Sequence, residues 1–76
     1  MTIDEFKKKI APFMHTGYVA MDANNRWYWY SEKPMQIGSN KWGNPAAGLI
    51  AMVYLSRVFN IEPVEDWTQS LIEVGK

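Results

Sequence analysis

The sequence predicts an α+β fold, in which a small antiparallel sheet of two or three strands packs with an N-terminal helix and one or two C-terminal helices. Three features of the sequence predict this fold. Residues 2–13 show helix capping and apolar spacing, residues 27–30 are consecutive aromatics typical of a strand, and residues 44–58 open with a cap and continue as an apolar run. We expect residues 1–76 to form a single compact domain, because a chain of this length holds one core.

The N-terminal helix is predicted from its cap and its apolar face. Thr2 and Glu5 have the spacing of a capping box, in which each side chain accepts a hydrogen bond from the other residue's backbone N–H. Apolar residues then recur at spacings of three and four, at Ile3, Phe6, Ile10 and Phe13. Because Pro12 lacks a backbone donor and disfavours helical geometry at the preceding residue, we expect the helix to end near residue 11.

A β-hairpin is predicted next, with strands at about residues 18–22 and 26–31. The connection between them is rich in Asp and Asn, which tolerate the backbone conformations of tight turns. Successive strand side chains point to opposite faces, so the two tryptophans of the aromatic run share one face and the two tyrosines share the other. One face should be core, and the other either packs under another element or stays in water. Residues 35–37 are a candidate third strand, because an isolated hairpin is only marginally stable.

The C-terminal half predicts one long helix and one short helix. Asn44 is a good N-cap and Pro45 suits the first helical position, so we place a helix at residues 45–58. The competing interpretation is a buried strand, since the segment contains several β-branched residues and a glycine. Asp66, followed three residues later by Gln69, resembles a second cap, and predicts a short last helix that begins near Trp67.

Composition excludes several classes of function. The chain has no cysteine, so disulfides, thiolate zinc sites and a cysteine nucleophile are excluded. Eight basic residues balance eight acidic ones, which disfavours nucleic acid or an anionic membrane as the partner. The longest apolar run, residues 46–55, is far shorter than the roughly 20 residues of a spanning helix. The acidic N-terminus is unlike a secretion signal, and we therefore expect a cytoplasmic protein.

No catalytic motif is visible in the sequence. The only histidine, His15, has no nucleophile or carboxylate at a spacing typical of a triad or a metal site. The acidic cluster of Glu62, Glu65 and Asp66 is typical of a loop followed by the first turn of a helix. We therefore expect no metal, no cofactor and no enzymatic activity. An enzymatic function remains an alternative only if another chain supplies the missing catalytic groups.

The aromatic run is the best candidate for a binding surface. Solvent-facing rings on a strand can anchor a protein interface or stack on bases and sugars. The predicted binding residues are Arg26, Tyr28, Tyr30, Lys33 and Trp42. We expect the partner to be a protein, with binding of single-stranded nucleic acid or carbohydrate by the same rings as the alternative. A third interpretation is that the rings are simply core, because a small domain depends on its large aromatics.

The predicted helix at residues 45–58, continued to Phe59, is a second candidate for an interface. A helix that is apolar almost all round is difficult to cover within a domain of this size. A homodimer through the apolar helix 45–59 would cover it.

Two segments resemble small uncharacterised proteins encoded by phages and prophages. One is the Trp-rich strand closed by Glu-Lys-Pro at residues 27–34, and the other is Asp66-Trp67 followed by Ser70-Leu71 near the C-terminus. The resemblance covers the middle and the end of the chain and does not extend to the first helix or the apolar run. It implies an origin in mobile elements and an accessory role, and it implies no catalytic or binding residue.

Overall fold

The computed structural model describes residues 1–43 and 51–75 and begins with a short helix. Helix α1 spans Ile3–Lys9. The predicted capping box is confirmed: Thr2 Oγ1 accepts from the Glu5 N–H at 3.1 Å, and Glu5 Oε1 accepts from the Thr2 N–H at 2.9 Å. The helix ends earlier than predicted, and a 3₁₀ turn at Ala11–Phe13 contains Pro12.

The described residues contain six strands. They are β1 at Gly17–Met21, β2 at Trp27–Tyr30, β3 at Met35–Ile37, β4 at Lys41–Gly43, β5 at Met52–Tyr54 and β6 at Ile72–Val74. The predicted hairpin is confirmed as β1 and β2, which pair antiparallel with Tyr18 opposite Tyr30 and Met21 opposite Trp27. Asn25 supports the turn between them with a positive φ of 70°, a conformation that asparagine tolerates.

The hairpin is the centre of a four-stranded antiparallel sheet with the order β5-β2-β1-β6. Strands β3 and β4 pair with each other in a separate two-stranded sheet. Residues 35–37 therefore form a strand, as predicted, but they do not extend the hairpin. The predicted sheet of two or three strands is wrong, because β5 and β6 add one strand to each side of the hairpin.

Both predicted C-terminal helices are wrong in the part of the chain that the structure describes. Within the predicted helix 45–58, residues 52–54 form β5 and Leu55–Arg57 form a 3₁₀ turn, whereas residues 45–50 lie outside the described residues. Asp66 does cap a turn, since its Oδ1 accepts from the Thr68 N–H at 3.0 Å. That turn is a single 3₁₀ turn at Trp67–Gln69, and β6 follows it.

The four-stranded sheet packs on both faces. The tryptophan face carries Val19, Met21, Trp27, Trp29 and Val53, and the tyrosine face carries Tyr18, Ala20, Tyr28, Tyr30, Met52 and Tyr54. Phe6 and Leu55 pack on the tryptophan face in the larger hydrophobic cluster. Trp42 from β4 packs with Ala20 and Tyr30 on the tyrosine face. One face was expected to be core, whereas Trp27 and Tyr30 on opposite faces are both fully buried.

Candidate interaction surface

Tyr30, one of the five predicted binding residues, lies in the core of the tyrosine face. It is 1% exposed, and its hydroxyl donates to the backbone carbonyl of Trp42 at 3.4 Å. Burial raises the pKa of the Tyr30 hydroxyl well above its usual value, and the nearby charge of Asp22 raises it further. The hydroxyl therefore stays protonated as a donor, and the ring is not available to a partner.

Trp42 is also a core residue. Its indole Nε1 donates to the carbonyl of Trp67 at 3.2 Å, and the two indoles make an edge-to-face contact with centroids 6.1 Å apart. Its backbone N–H donates to Oδ1 of the buried Asp22 at 2.9 Å. These contacts attach β4 to the hairpin, so Trp42 holds the small sheet against the large one.

The two predicted cations are exposed but lie apart. Arg26 immediately precedes β2, and Lys33 follows its other end. Lys33 lines a shallow cavity together with Tyr18 and with Glu73 of the edge strand β6. Tyr28 lies on β2 between the cations and is half-buried. The structure therefore does not gather the five predicted residues into one site.

A different group of side chains meets at the β5 edge, and we call it the tyrosine patch: Tyr28, Met52 and Tyr54. Tyr28 and Tyr54 are cross-strand neighbours whose ring centroids are 5.2 Å apart. Met52 and Tyr54 are 52% and 36% exposed. Sequence reasoning missed Met52 and Tyr54 because it assigned them to a helix. The available signal was the β-prone segment Met-Val-Tyr, which also fits the competing strand interpretation.

The tryptophan face carries an apolar cavity of about 330 Å³ beside the same edge. Its lining residues are Met14, His15, Trp29, Val53, Leu55 and Phe59. The Trp29 indole is fixed there because its Nε1 donates to the His15 carbonyl at 3.2 Å and its ring lies across Gly17. A Cβ at Gly17 would lie 2.7 Å from that ring, so this position needs glycine. The described residues that line the cavity beside His15 are apolar and offer no acid, base or nucleophile.

The backbone of β5 presents polar groups to the outside of the sheet. Ala51 points its carbonyl toward β2, where it accepts from the Ser31 N–H at 3.0 Å. Because an antiparallel strand alternates the direction of its backbone groups, Val53 also faces β2, whereas Met52 and Tyr54 direct their N–H and C=O groups away from it. Within residues 1–43 and 51–75, no strand pairs with this outer side.

Comparisons of the chain with protein-family models, with curated proteins and with solved structures each return no match. The resemblance to phage-encoded proteins therefore stays a prediction. No helix in the described part of the chain is long and apolar enough to cross a membrane.

Proposed function

We propose that this protein is a non-enzymatic interaction module that binds another protein through the tyrosine patch. The observation that carries the proposal is the exposure of Met52 beside the paired rings of Tyr28 and Tyr54. Tyrosine and methionine are enriched in protein interfaces, because they combine a large contact area with adaptable packing. The resemblance to phage-encoded proteins supports an accessory role, with a host or phage protein in the cytoplasm as the partner.

The distribution of charge favours a protein partner over nucleic acid. A surface that binds single strands combines stacking rings with a basic groove that follows the phosphates. Here Arg26 and Lys33 lie beyond opposite ends of β2, and the chain has no net charge. A partner held by apolar contact with the patch should show an affinity that changes little with salt, whereas phosphate contacts would make it fall steeply.

The test compares two variants. The double variant Tyr28→Ala/Tyr54→Ala removes both rings of the patch, and Tyr18→Ala removes a half-buried ring on the same face, at the β6 side of the sheet. A partner that the wild-type chain captures is purified, and its affinity for each chain is measured by calorimetry at low and high salt. We expect the double variant to lose binding by at least about tenfold, the cost of a modest hot spot. Tyr18→Ala should bind as the wild type does.

Circular dichroism of each variant is the control for folding. Equal affinity of the folded double variant and the wild type would refute the tyrosine patch as the binding surface. A steep loss of affinity with salt would instead point to nucleic acid or another polyanion.

A further inference from the structure

In the part of the chain that the structure describes, β5 is an edge strand, and its own residues give it none of the usual protection. Proteins guard exposed edges with charged residues, prolines or bulges, because unpaired backbone groups recruit other strands. The three residues of β5 are Met52, Val53 and Tyr54, all uncharged and all solvent-exposed. The residues on either side of the strand, Ala51 and Leu55, are apolar as well. Among residues 1–43 and 51–75 nothing pairs with this edge, so it offers free backbone groups to another uncharged strand.

We propose that β5 pairs antiparallel with β5 of a second copy of this chain, about a twofold axis at Val53. The outward N–H and C=O groups of Met52 then meet those of the partner's Tyr54, and the symmetric contact repeats on the other side of the axis. This arrangement gives four backbone hydrogen bonds and joins two four-stranded sheets into one sheet of eight strands. The proposal does not depend on the proposed function.

The side chains of β5 suit this register. Residues opposite each other in a sheet point to the same face, so Val53 meets the partner's Val53 on the tryptophan face. On the tyrosine face Met52 meets the partner's Tyr54, a favourable contact between sulfur and an aromatic ring. A slip by one residue would set outward-facing backbone groups opposite residues such as Val53, whose groups face β2, so the alternation of the strand disfavours it.

A second copy is the occupant that the charge and pattern of the chain favour. The strand is its own complement in the twofold register, since each apolar residue meets another apolar residue. Two copies also approach without long-range repulsion, because the formal net charge is zero. A three-residue strand contributes far less than the roughly 800 Å² per partner of a standard interface, so the dimer should be weak and concentration-dependent. Pairing would place the two tyrosine patches side by side on one face.

Charge substitutions at the twofold axis test this register. In sedimentation equilibrium we expect the wild type to dimerise as concentration rises. Val53→Lys and Val53→Glu should each raise the dissociation constant by at least about tenfold, because like charges meet at the axis. Mixing the two variants should restore dimers, since opposite charges then face each other. Val58→Lys is the matched control: this valine is 71% exposed and lies outside β5, so its substitution should leave the dimer unchanged.

Hydrogen exchange of the wild type tests the same pairing without any substitution. The amides of Met52 and Tyr54 should gain protection as concentration rises, whereas the Val53 amide, which already faces β2, should not change. Any of three results would overturn the proposal. They are a wild type that stays monomeric, a mixture of variants that forms no dimers, and amide exchange at Met52 and Tyr54 that does not change with protein concentration. Equal affinity of the separate partner for the wild type and for the folded Tyr28→Ala/Tyr54→Ala variant would refute the proposed function and leave this pairing standing.

Discussion

Three serine hydroxyls complete the sheet where a neighbouring strand ends. Strand β6 pairs only with residues 17–19 of β1, and beyond it Ser70 Oγ accepts from the Met21 N–H at 2.8 Å. Strand β5 pairs with residues 28–30 of β2, and beyond it Ser56 Oγ accepts from the Trp27 N–H at 2.8 Å. At the other end, Ser31 Oγ accepts from the Ala51 N–H at 3.1 Å. These backbone N–H groups therefore find acceptors beyond the ends of the short strands, whether they are buried, as at Met21, or exposed, as at Ala51.

Asp22 makes the stability of the protein depend on pH. Burial raises the pKa of its carboxyl group above the usual value of 3.8, although the hydrogen bond from the Trp42 N–H and the charge of Lys41 act in the opposite direction. A raised pKa means that the folded state holds the proton more tightly than the unfolded state. The stabilising contribution is therefore complete below 3.8 and is lost as the pH rises through the folded-state pKa.

Asp22→Asn and Asp22→Ala separate the charge of this residue from its hydrogen bond. The amide oxygen of Asp22→Asn can still accept from the Trp42 N–H. The free energy of unfolding of this variant should therefore increase relative to that of the wild type as the pH rises from 3.8 to 7. Asp22→Ala leaves a buried N–H without its acceptor and should cost about 1–3 kcal/mol throughout. Urea unfolding at a series of pH values measures both effects.

Other carboxylates do not disturb the Asp22 comparison. The hydrogen bond from the Thr2 N–H lowers the pKa of Glu5, which contributes the opposite pH dependence. Glu5 is present in every chain compared, so its contribution cancels in the difference. A wild type that gains stability over Asp22→Asn as the pH rises would contradict the assignment.

At the scale of elements, local signals in the sequence predicted local structure. The capping box of Thr2 and Glu5 and the alternation of residues 27–30 act within a few residues of themselves, and α1 and the hairpin are where they indicate. Strand β5 has a β-prone sequence, but its place beside β2 depends on pairing with a strand more than twenty residues earlier, and no local pattern specifies that pairing. The predicted cap at Asp66 is confirmed, but it begins only a single 3₁₀ turn. The alternation of Ile72, Glu73 and Val74 indicates the strand that follows.

Because local patterns do not specify long-range packing, the sequence predicted only part of the candidate site. Tyr28 was predicted from the aromatic run, and the structure leaves it half-buried beside the β5 edge. Tyr30 and Trp42 were predicted together with it, but Trp42 of β4 packs in one cluster with Tyr30, and both rings are buried. Which ring of a strand is covered depends on an element that packs from elsewhere in the chain, and alternation alone cannot specify it.

Coupling between Tyr28 and Tyr54 tests how β5 is held on β2. Their rings are direct cross-strand neighbours 5.2 Å apart, so a double-mutant cycle to alanine should give a coupling of about 0.5–1 kcal/mol in the free energy of unfolding. Tyr18 lies on β1, which β2 separates from β5, so its cycle with Tyr54 should be additive. Urea unfolding of the single and double variants supplies the values. Additive behaviour of Tyr28 and Tyr54 would contradict the pairing of β5 with β2.

At the scale of the whole molecule, one sheet separates two hydrophobic clusters and connects them. The larger cluster contains Phe6, and the smaller one contains Trp42. Trp67 packs against both clusters, so it joins them at the border of the sheet. Both clusters pack on the same strands, one on each face of the sheet. If those strands separate, both clusters lose their packing.

We therefore expect the two clusters to unfold together. Phe6→Leu removes an edge-to-face contact with Phe59, and Trp42→Phe removes the indole bond to the Trp67 carbonyl; each should lower the free energy of unfolding by about 1–3 kcal/mol. Phe13→Leu, at a ring that is 86% exposed, should change it by less than about 0.5 kcal/mol. Urea transitions followed by far-ultraviolet circular dichroism and by tryptophan fluorescence should coincide for every variant. If Trp42→Phe moved the fluorescence transition and left the dichroism transition in place, the tyrosine face would unfold on its own, and the shared sheet would not couple the clusters.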